Sequence, residues 1–316
     1  MAGPGTMARP VGLFRPDIAV ITNIRSDHAS EFETRHEHVL EKASIIRDLP
    51  ATGWAILNAD EPDLDVLRSE TDANVLTYGF AENADVRATR IENFPPKPIN
   101  IEVSMNGNLQ SVATQLHGAH NVYGVLAALA VGRALDLPTS AAAAAIAKVP
   151  SVQGRMQYVE HDDGTGFLLD DFKASEGSLA TIVDYLQACE INRGSRFVVL
   201  GSITYGADHL VDLYTRFIEE VRNHSDEILL VGSLVAGLDR SALPDTVRIF
   251  ATVKQCADYL LPRLRPHDIV VLKGRLRSDH LRRIEIRRRT TVNCWQMFCG
   301  RTVFCEDCRF IEESLD

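Results

Sequence analysis

No stretch of the 316-residue sequence reaches the roughly 18 uninterrupted apolar residues that a membrane-spanning helix requires. The longest candidate, Val122 to Leu137, is broken by Arg133 and Asp136. The first residues, MAGPGTMARPVGLFRPD, lack the apolar core of a secretory signal, and both absences point to the cytoplasm. Excess positive charge is missing too. There are 33 Lys and Arg against 43 Asp and Glu, a net charge of −10 that repels nucleic acid and anionic membranes. No internal repeat is visible. What remains is an ordinary globular composition, 45% hydrophobic and 24% charged, on a chain long enough for two domains.

Cysteine is scarce and unevenly placed: four of the six (Cys294, Cys299, Cys305, Cys308) fall within the last 23 residues. In a chain without an export signal such a cluster reads as a metal site, with free or redox-active thiols and disulfides as the alternatives. The pattern Cys-x4-Cys followed by Cys-x2-Cys supplies four thiolates, enough for a closed tetrahedral zinc site. Residues 290–316 are therefore expected to form a zinc knuckle with Trp295 and Phe298 as its small core.

Short apolar runs alternate with helical patterns, the rhythm of an α/β fold with parallel sheets. Ile18 to Ile21 and Ala55 to Asn58 read as buried strands, and Glu31 to Asp48 as a helix with Val39, Leu40, Ala43 and Ile46 on one face. From Asn74 to Leu116 the short alternating segments predict an antiparallel patch. Asn121 to Ala134 and Thr139 to Ala147 read as helices. Pro150 to Gly154 breaks the pattern and separates a domain at 1–150 from a second at 151–289. The strands of the second are expected at Gly166 to Leu169, Arg196 to Leu200, Glu227 to Val231, Arg248 to Phe250 and Asp268 to Leu272.

Taken singly, the chemically suggestive residues are ambiguous. His28 follows a buried strand at the edge where α/β folds keep ligands, yet a lone histidine there is also a common structural residue. His36 and His38 do not share a helix face. Lys42 sits among apolar helical neighbours and can simply snorkel to water. Asp170-Asp171-Phe172-Lys173 ends a strand, where it could meet a nucleotide or form a surface ion pair. Gly201 to Gly206 resembles a glycine loop without satisfying the dinucleotide fingerprint. The basic run Arg275 to Arg289 reads as a solvated helix face.

Read in order, the segments PDIAVITNIRSDH, EKASIIRDLPATGWAILNADEP, LHGAHNVYGVLAALAVGRALDLP, VQGRMQYVE, LLDDFKASEGSLATIVDYL, RFVVLGS and DIVVLKGRLRSDHLRRI resemble the Mur ligase family over residues 10 to 285. These are ATP-dependent amide-bond ligases of peptidoglycan precursor synthesis, and the likeness is nearest to members that add D-alanyl-D-alanine to a UDP-MurNAc-tripeptide. The resemblance implies part of the family's central ATPase domain followed by its Rossmann-like C-terminal domain. It also implies ATP and Mg2+ as cofactors, with a UDP-MurNAc-peptide and an amino acid or dipeptide as substrates.

Residue by residue, His28 matches a histidine that binds magnesium, and Lys42 matches a lysine that is carbamylated into a metal-binding carboxylate. Asn121 matches the asparagine that reads adenine, Arg155 an arginine that contacts the nucleotide, and Asp171 the ribose-binding aspartate. Lys173 stands where some members carry a phosphate-contacting lysine. Gly124 replaces a second adenine-side asparagine, and Ser202 an aspartate.

The family's phosphate loop, G-x-x-G-K-[ST], occurs nowhere in the 316 residues, so the cradle for the β- and γ-phosphates is missing. Met1 to Thr6 resembles a segment inside the central domain. The expectation is a ligase whose first part lies outside this sequence, inactive alone or completed by a second chain. The alternative is a non-catalytic nucleotide- or partner-binding module derived from such a ligase.

Overall fold

The computed structural model describes residues 3–25, 31–189, 194–203 and 210–313. The chain divides into two compact units. One comprises Met1–Asn93, Ile99–Gln115 and Ala119–Val149; the other comprises Phe94–Pro98, Leu116–Gly118 and Pro150–Asp316.

The first unit runs α1 (Ala8–Phe14), β1 (Ile18–Ile21), α2 (Arg35–Arg47), β2 (Trp54–Asn58), α3 (Leu64–Ser69), β3 (Asn74–Gly79), β4 (Val86–Glu92), β5 (Asn100–Met105), β6 (Asn108–Ala113), α4 (Val122–Ala134) and α5 (Thr139–Ile146). Its strands lie in one sheet in chain order. The α2 helix starts at Thr34, whose hydroxyl accepts a hydrogen bond from the Glu37 amide at 3.2 Å. That satisfies one of the orphan N–H groups of the first turn. Val39, Ala43 and Ile46, spaced to share a face, are fully buried with Ala19, Ile21, Ala55 and Leu57. The expected antiparallel patch begins later than the alternation suggested, because β3 pairs parallel with β2 and, briefly, with β4. Only β4, β5 and β6 are antiparallel. Asn106 and Gly107, both at positive φ (53° and 76°), close the β5–β6 hairpin as a two-residue turn.

The second unit contains β7 (Gln157–Glu160), β8 (Gly166–Asp170), α6 (Glu176–Ala188), β9 (Arg196–Leu200), α7 (Leu210–Val221), β10 (Glu227–Val231), β11 (Val247–Phe250), α8 (Val253–Leu260), β12 (Ile269–Lys273) and α9 (Arg283–Ile286). The order across the sheet is β11-β10-β9-β12-β8-β7, parallel except for β7. Period-two alternation sends Leu168, Val198, Leu230 and Val271 to the face covered by α6 and α7. Phe167, Val199, Leu229 and Val270 go to the face covered by α8. Burial on both faces explains why these strands read as unbroken apolar runs. No helix among the described residues is long and apolar enough to cross a membrane.

Among its described residues the tail does not gather the four thiols that a zinc knuckle was expected to bring together. Among the described residues no three His, Cys, Asp or Glu side chains stand close enough to share a metal ion, and the cysteines are free thiols. Cys299 and Cys305 lie 3.5 Å from opposite ring nitrogens of His280, so the imidazole separates them. Cys305 also packs with Ile286 and Val292 and accepts a hydrogen bond from Arg283 Nε at 3.3 Å. Burial pushes its thiol up to about 11. Phe298, expected in a small core, is 62% exposed.

The basic run is not a solvated helix face either. Only Arg283–Ile286 is helical, and Arg282 and Arg283 are almost fully buried.

His117, buried and 5.2 Å from the Tyr158 ring, is pushed down to about 4 by desolvation. The unfolded chain takes up this proton near pH 6.5 while the folded chain refuses it. Stability is therefore lost as pH falls from about 6.5 towards 4. Urea unfolding should report roughly 2 kcal/mol less stability at pH 5 than at pH 7 from this group. His117→Gln should flatten the profile by that amount; a variant profile parallel to that of the unmodified protein would refute it.

Candidate functional site

In the first unit, a pocket of about 460 Å³ opens at the carboxyl ends of β1 and β2, with Asn23, Arg25, Asp60, Glu61 and Tyr123 in its wall. This is the edge at which parallel sheets place their ligands. Asn58, at the end of β2, ties the two strand ends together: its Nδ2 donates to the Thr22 carbonyl at 3.1 Å and its Oδ1 accepts from the Asp60 amide at 2.9 Å. Glu61 accepts from the Ile24 amide at 3.1 Å and from Arg35 at 3.1 Å, and Arg35 in turn grips Asp63.

Asp60 accepts from the Phe80 and Ala81 amides at 2.7 and 2.9 Å. That approach requires glycine at 79, because a Cβ there would stand 2.6 Å from the Asp60 carboxylate. Burial, reinforced by Asp60, pushes the Tyr123 hydroxyl up to about 12, so it stays a proton donor at neutral pH.

Of the residues expected in this unit, Lys42 lies on α2 and its Nζ reaches the Asn23 carbonyl at 3.4 Å. It meets the loop after β1 rather than only water. Asn121 ends a short turn at the start of α4, two residues before Tyr123 of the pocket wall. His28 lies outside the described residues.

In the second unit, the carboxyl ends of the neighbouring strands β8, β12 and β9 gather charge. Lys273 Nζ, 1% exposed, donates to Asp170 Oδ2 at 2.6 Å and to the Lys173 carbonyl at 3.1 Å. Asp171 is paired with Arg282 through both oxygens, at 3.2 and 2.9 Å, and both residues are nearly inaccessible. The strand-end pair was open between a nucleotide contact and a surface ion pair. The structure shows two ion pairs, both buried rather than at the surface. Arg155 is exposed, with its guanidinium 4.4 Å above the Phe172 ring.

Sequence reasoning missed Asp279. It accepts from Ser202 N and Oγ at 2.8 and 2.7 Å and from the Arg275 amide at 2.7 Å, linking the ends of β9 and β12. A Cβ at Gly201 or Gly274 would lie 2.4 or 2.9 Å from its carboxylate, so the glycines closing those two strands were its only sequence signal. Burial raises its carboxyl above the ordinary value despite these donors. The glycine loop read after Gly201 lies outside the described residues from position 204.

Two family models match the sequence: the Mur ligase middle domain over residues 1–132, and the Mur ligase, glutamate ligase domain over residues 154–276. A UDP-N-acetylmuramoyl-L-alanyl-D-glutamate–2,6-diaminopimelate ligase of Bacillus licheniformis is 33% identical over 192 residues, covering 58% of this chain and 38% of that protein. A UDP-N-acetylmuramate–L-alanine ligase of Nitrosomonas eutropha is 28% identical over 249 residues, covering 76% of this chain and 52% of its own length. The chain thus spans about half the length, or less, of these curated relatives. Among solved structures, MurF ligase from Thermotoga maritima in complex with ADP shares the fold, with a TM-score of 0.71, 21% identity, and coverage of 91% of this chain and 64% of that one.

Proposed function

The chain belongs to the Mur ligase family, joining its middle domain to its glutamate ligase domain, and from that premise we propose that it serves an ATP-dependent carbon–nitrogen ligase of peptidoglycan precursor synthesis. The substrates proposed are a UDP-MurNAc carboxylate and the amine of an amino acid or dipeptide. The amine is the point on which the relatives' names differ, one naming 2,6-diaminopimelate and another L-alanine. The observation that carries the reading is the pocket at the ends of β1 and β2, inside the region matched by the middle-domain model.

In such a reaction the γ-phosphoryl group moves to a carboxylate oxygen and ADP departs. The amine nitrogen then attacks the acyl carbon, phosphate leaves with the C–O electron pair, and the amine proton is lost. The chain's own part is to hold charge and position. Lys42 and His28 are proposed for the magnesium side, Lys42 lying beside Asn23 of the pocket wall. Bound magnesium supplies charge neutralisation of the phosphates. Asn121 is proposed to read adenine, and Arg155 and Lys173 to meet phosphate. Asp171 does not fit an open ribose contact in this conformation, since it is 2% exposed and already paired.

Calorimetric titration of the 316-residue protein with Mg·ADP tests the nucleotide reading. Binding is expected, weakened about five- to tenfold by Asn121→Ala, the value of one lost hydrogen bond. Equal affinities would remove the proposed adenine contact. Phosphate release driven by UDP-MurNAc-tripeptide and a dipeptide should be absent, because no phosphate loop is present in these residues.

A further inference from the structure

The tail returns across the sheet edge that carries Arg155 and Asp171. A Cβ built on Gly154 (φ +69°) would come within 2.8 Å of the Phe304 ring, so the ring rests directly on that backbone. The same ring lies 6.0 Å from Phe172 and 4.4 Å beneath the Arg282 guanidinium.

Two positions on, Glu306 takes the remaining edge of that guanidinium at 2.6 Å and is also bound by Gln153 and, at 3.2 Å, by Arg289. Gln153 further donates to Asp307 at 3.0 Å. Arg282 is thus shared between Asp171 on β8's continuation and Glu306 in the tail. The strap is anchored behind this contact by Cys305, packed with Ile286 and Val292, and by the Asn293 and Cys294 amides donating to Ile311.

An aromatic ring and a carboxylate from one short segment therefore occupy the ground between Gly154 and Asp171. Glu306 keeps 18% of its side chain in solvent, so this arm is the more readily displaced side of the arginine. We propose that residues 304–307 are an autoinhibitory strap, an internal occupant of the Gly154–Asp171 face with which an adenosine nucleotide competes. The inference rests on the reading of Arg155 and Asp171 as nucleotide-facing residues. It accounts for the burial and pairing of Asp171: release of the ring and of Glu306 uncovers Asp171 and leaves Arg282 to a new anionic partner.

Hydrogen exchange and Mg·ADP titration on the full chain test this, with Phe304→Leu and Glu306→Gln made singly and together, chosen to keep the segment's volume. In the unsubstituted protein, Mg·ADP should increase exchange at residues 304–307. In the double variant, exchange at 153–156 should rise severalfold without nucleotide, and ADP should bind about fivefold more tightly, the value of one charged contact removed from competition. Protection of 304–307 by ADP, or an affinity unchanged by the double substitution, overturns the strap and leaves Asn121-dependent binding standing. No ADP binding in any variant, with exchange at 153–156 raised, overturns the nucleotide reading itself and the competition with it. An unchanged melting temperature in the single variants separates these results from unfolding.

Discussion

Asp170→Ala is expected to cost the second unit about 3–5 kcal/mol, because it leaves the Lys273 ammonium buried without its counter-charge. The lysine is 1% exposed, and burial already lowers its pKa against the opposing pull of Asp170. Asp170 also accepts from the Met156 amide at 3.3 Å, so the substitution further frees a backbone donor beside β7. Against a domain stability of roughly 5–15 kcal/mol, such a loss brings the unit close to unfolding at room temperature. Urea unfolding measures it. Asp170→Ala with Lys273→Met should recover a large part of the loss, since removing both charges also removes the unpaired one. A single-variant cost below about 1 kcal/mol, typical of an exposed pair, would show that the pair is solvated.

The largest catalytic effect is expected at Lys42. Joined to a segment that supplies a G-x-x-G-K-[ST] loop, the chain should gain ligation, and Lys42→Ala should then lower turnover about 10²–10³-fold, the scale of losing one preorganised electrostatic contact. The position suits the role, because Nζ reaches the loop after β1 at the rim of the pocket. Coupled phosphate release and product formation are the measurements. Partial rescue by short carboxylates would identify the missing group as an anion, and turnover equal to that of the unsubstituted fusion would remove Lys42 from the mechanism.

Strands were legible where burial is continuous and local. Ile18–Ile21, Arg196–Leu200 and Glu227–Val231 have the bounds read from the sequence. β7 was not legible, because Gln157–Glu160 is a half-buried edge strand whose pattern is four residues long. β3 was assigned to the wrong kind of pairing, since alternation reports a half-buried strand but not the direction of its neighbour. The motifs that name the proposed site were legible in order, and Lys42 reaches Asn23 of the pocket wall. Its electrostatic state was not, because a strand-end Asp-Asp looks the same whether it faces solvent or an arginine.

The sequence by itself determined the α/β class, the two-part organisation and the family, since each depends on local periodicity or on residues close together in the chain. Tertiary structure alone decided which charges are buried and whom they meet. Asp171 finds Arg282 at a separation of 111 residues, Gln153 finds Glu306 at 153, and Ser202 finds Asp279 at 77. It also decided that the four tail cysteines do not converge, because spacing sets how far apart thiols can be but not what packs between them, and here His280 does. A buried charge must be paired wherever the chain can supply a partner, and that supply depends on how the strand ends and the tail are brought together in space, which no local pattern records.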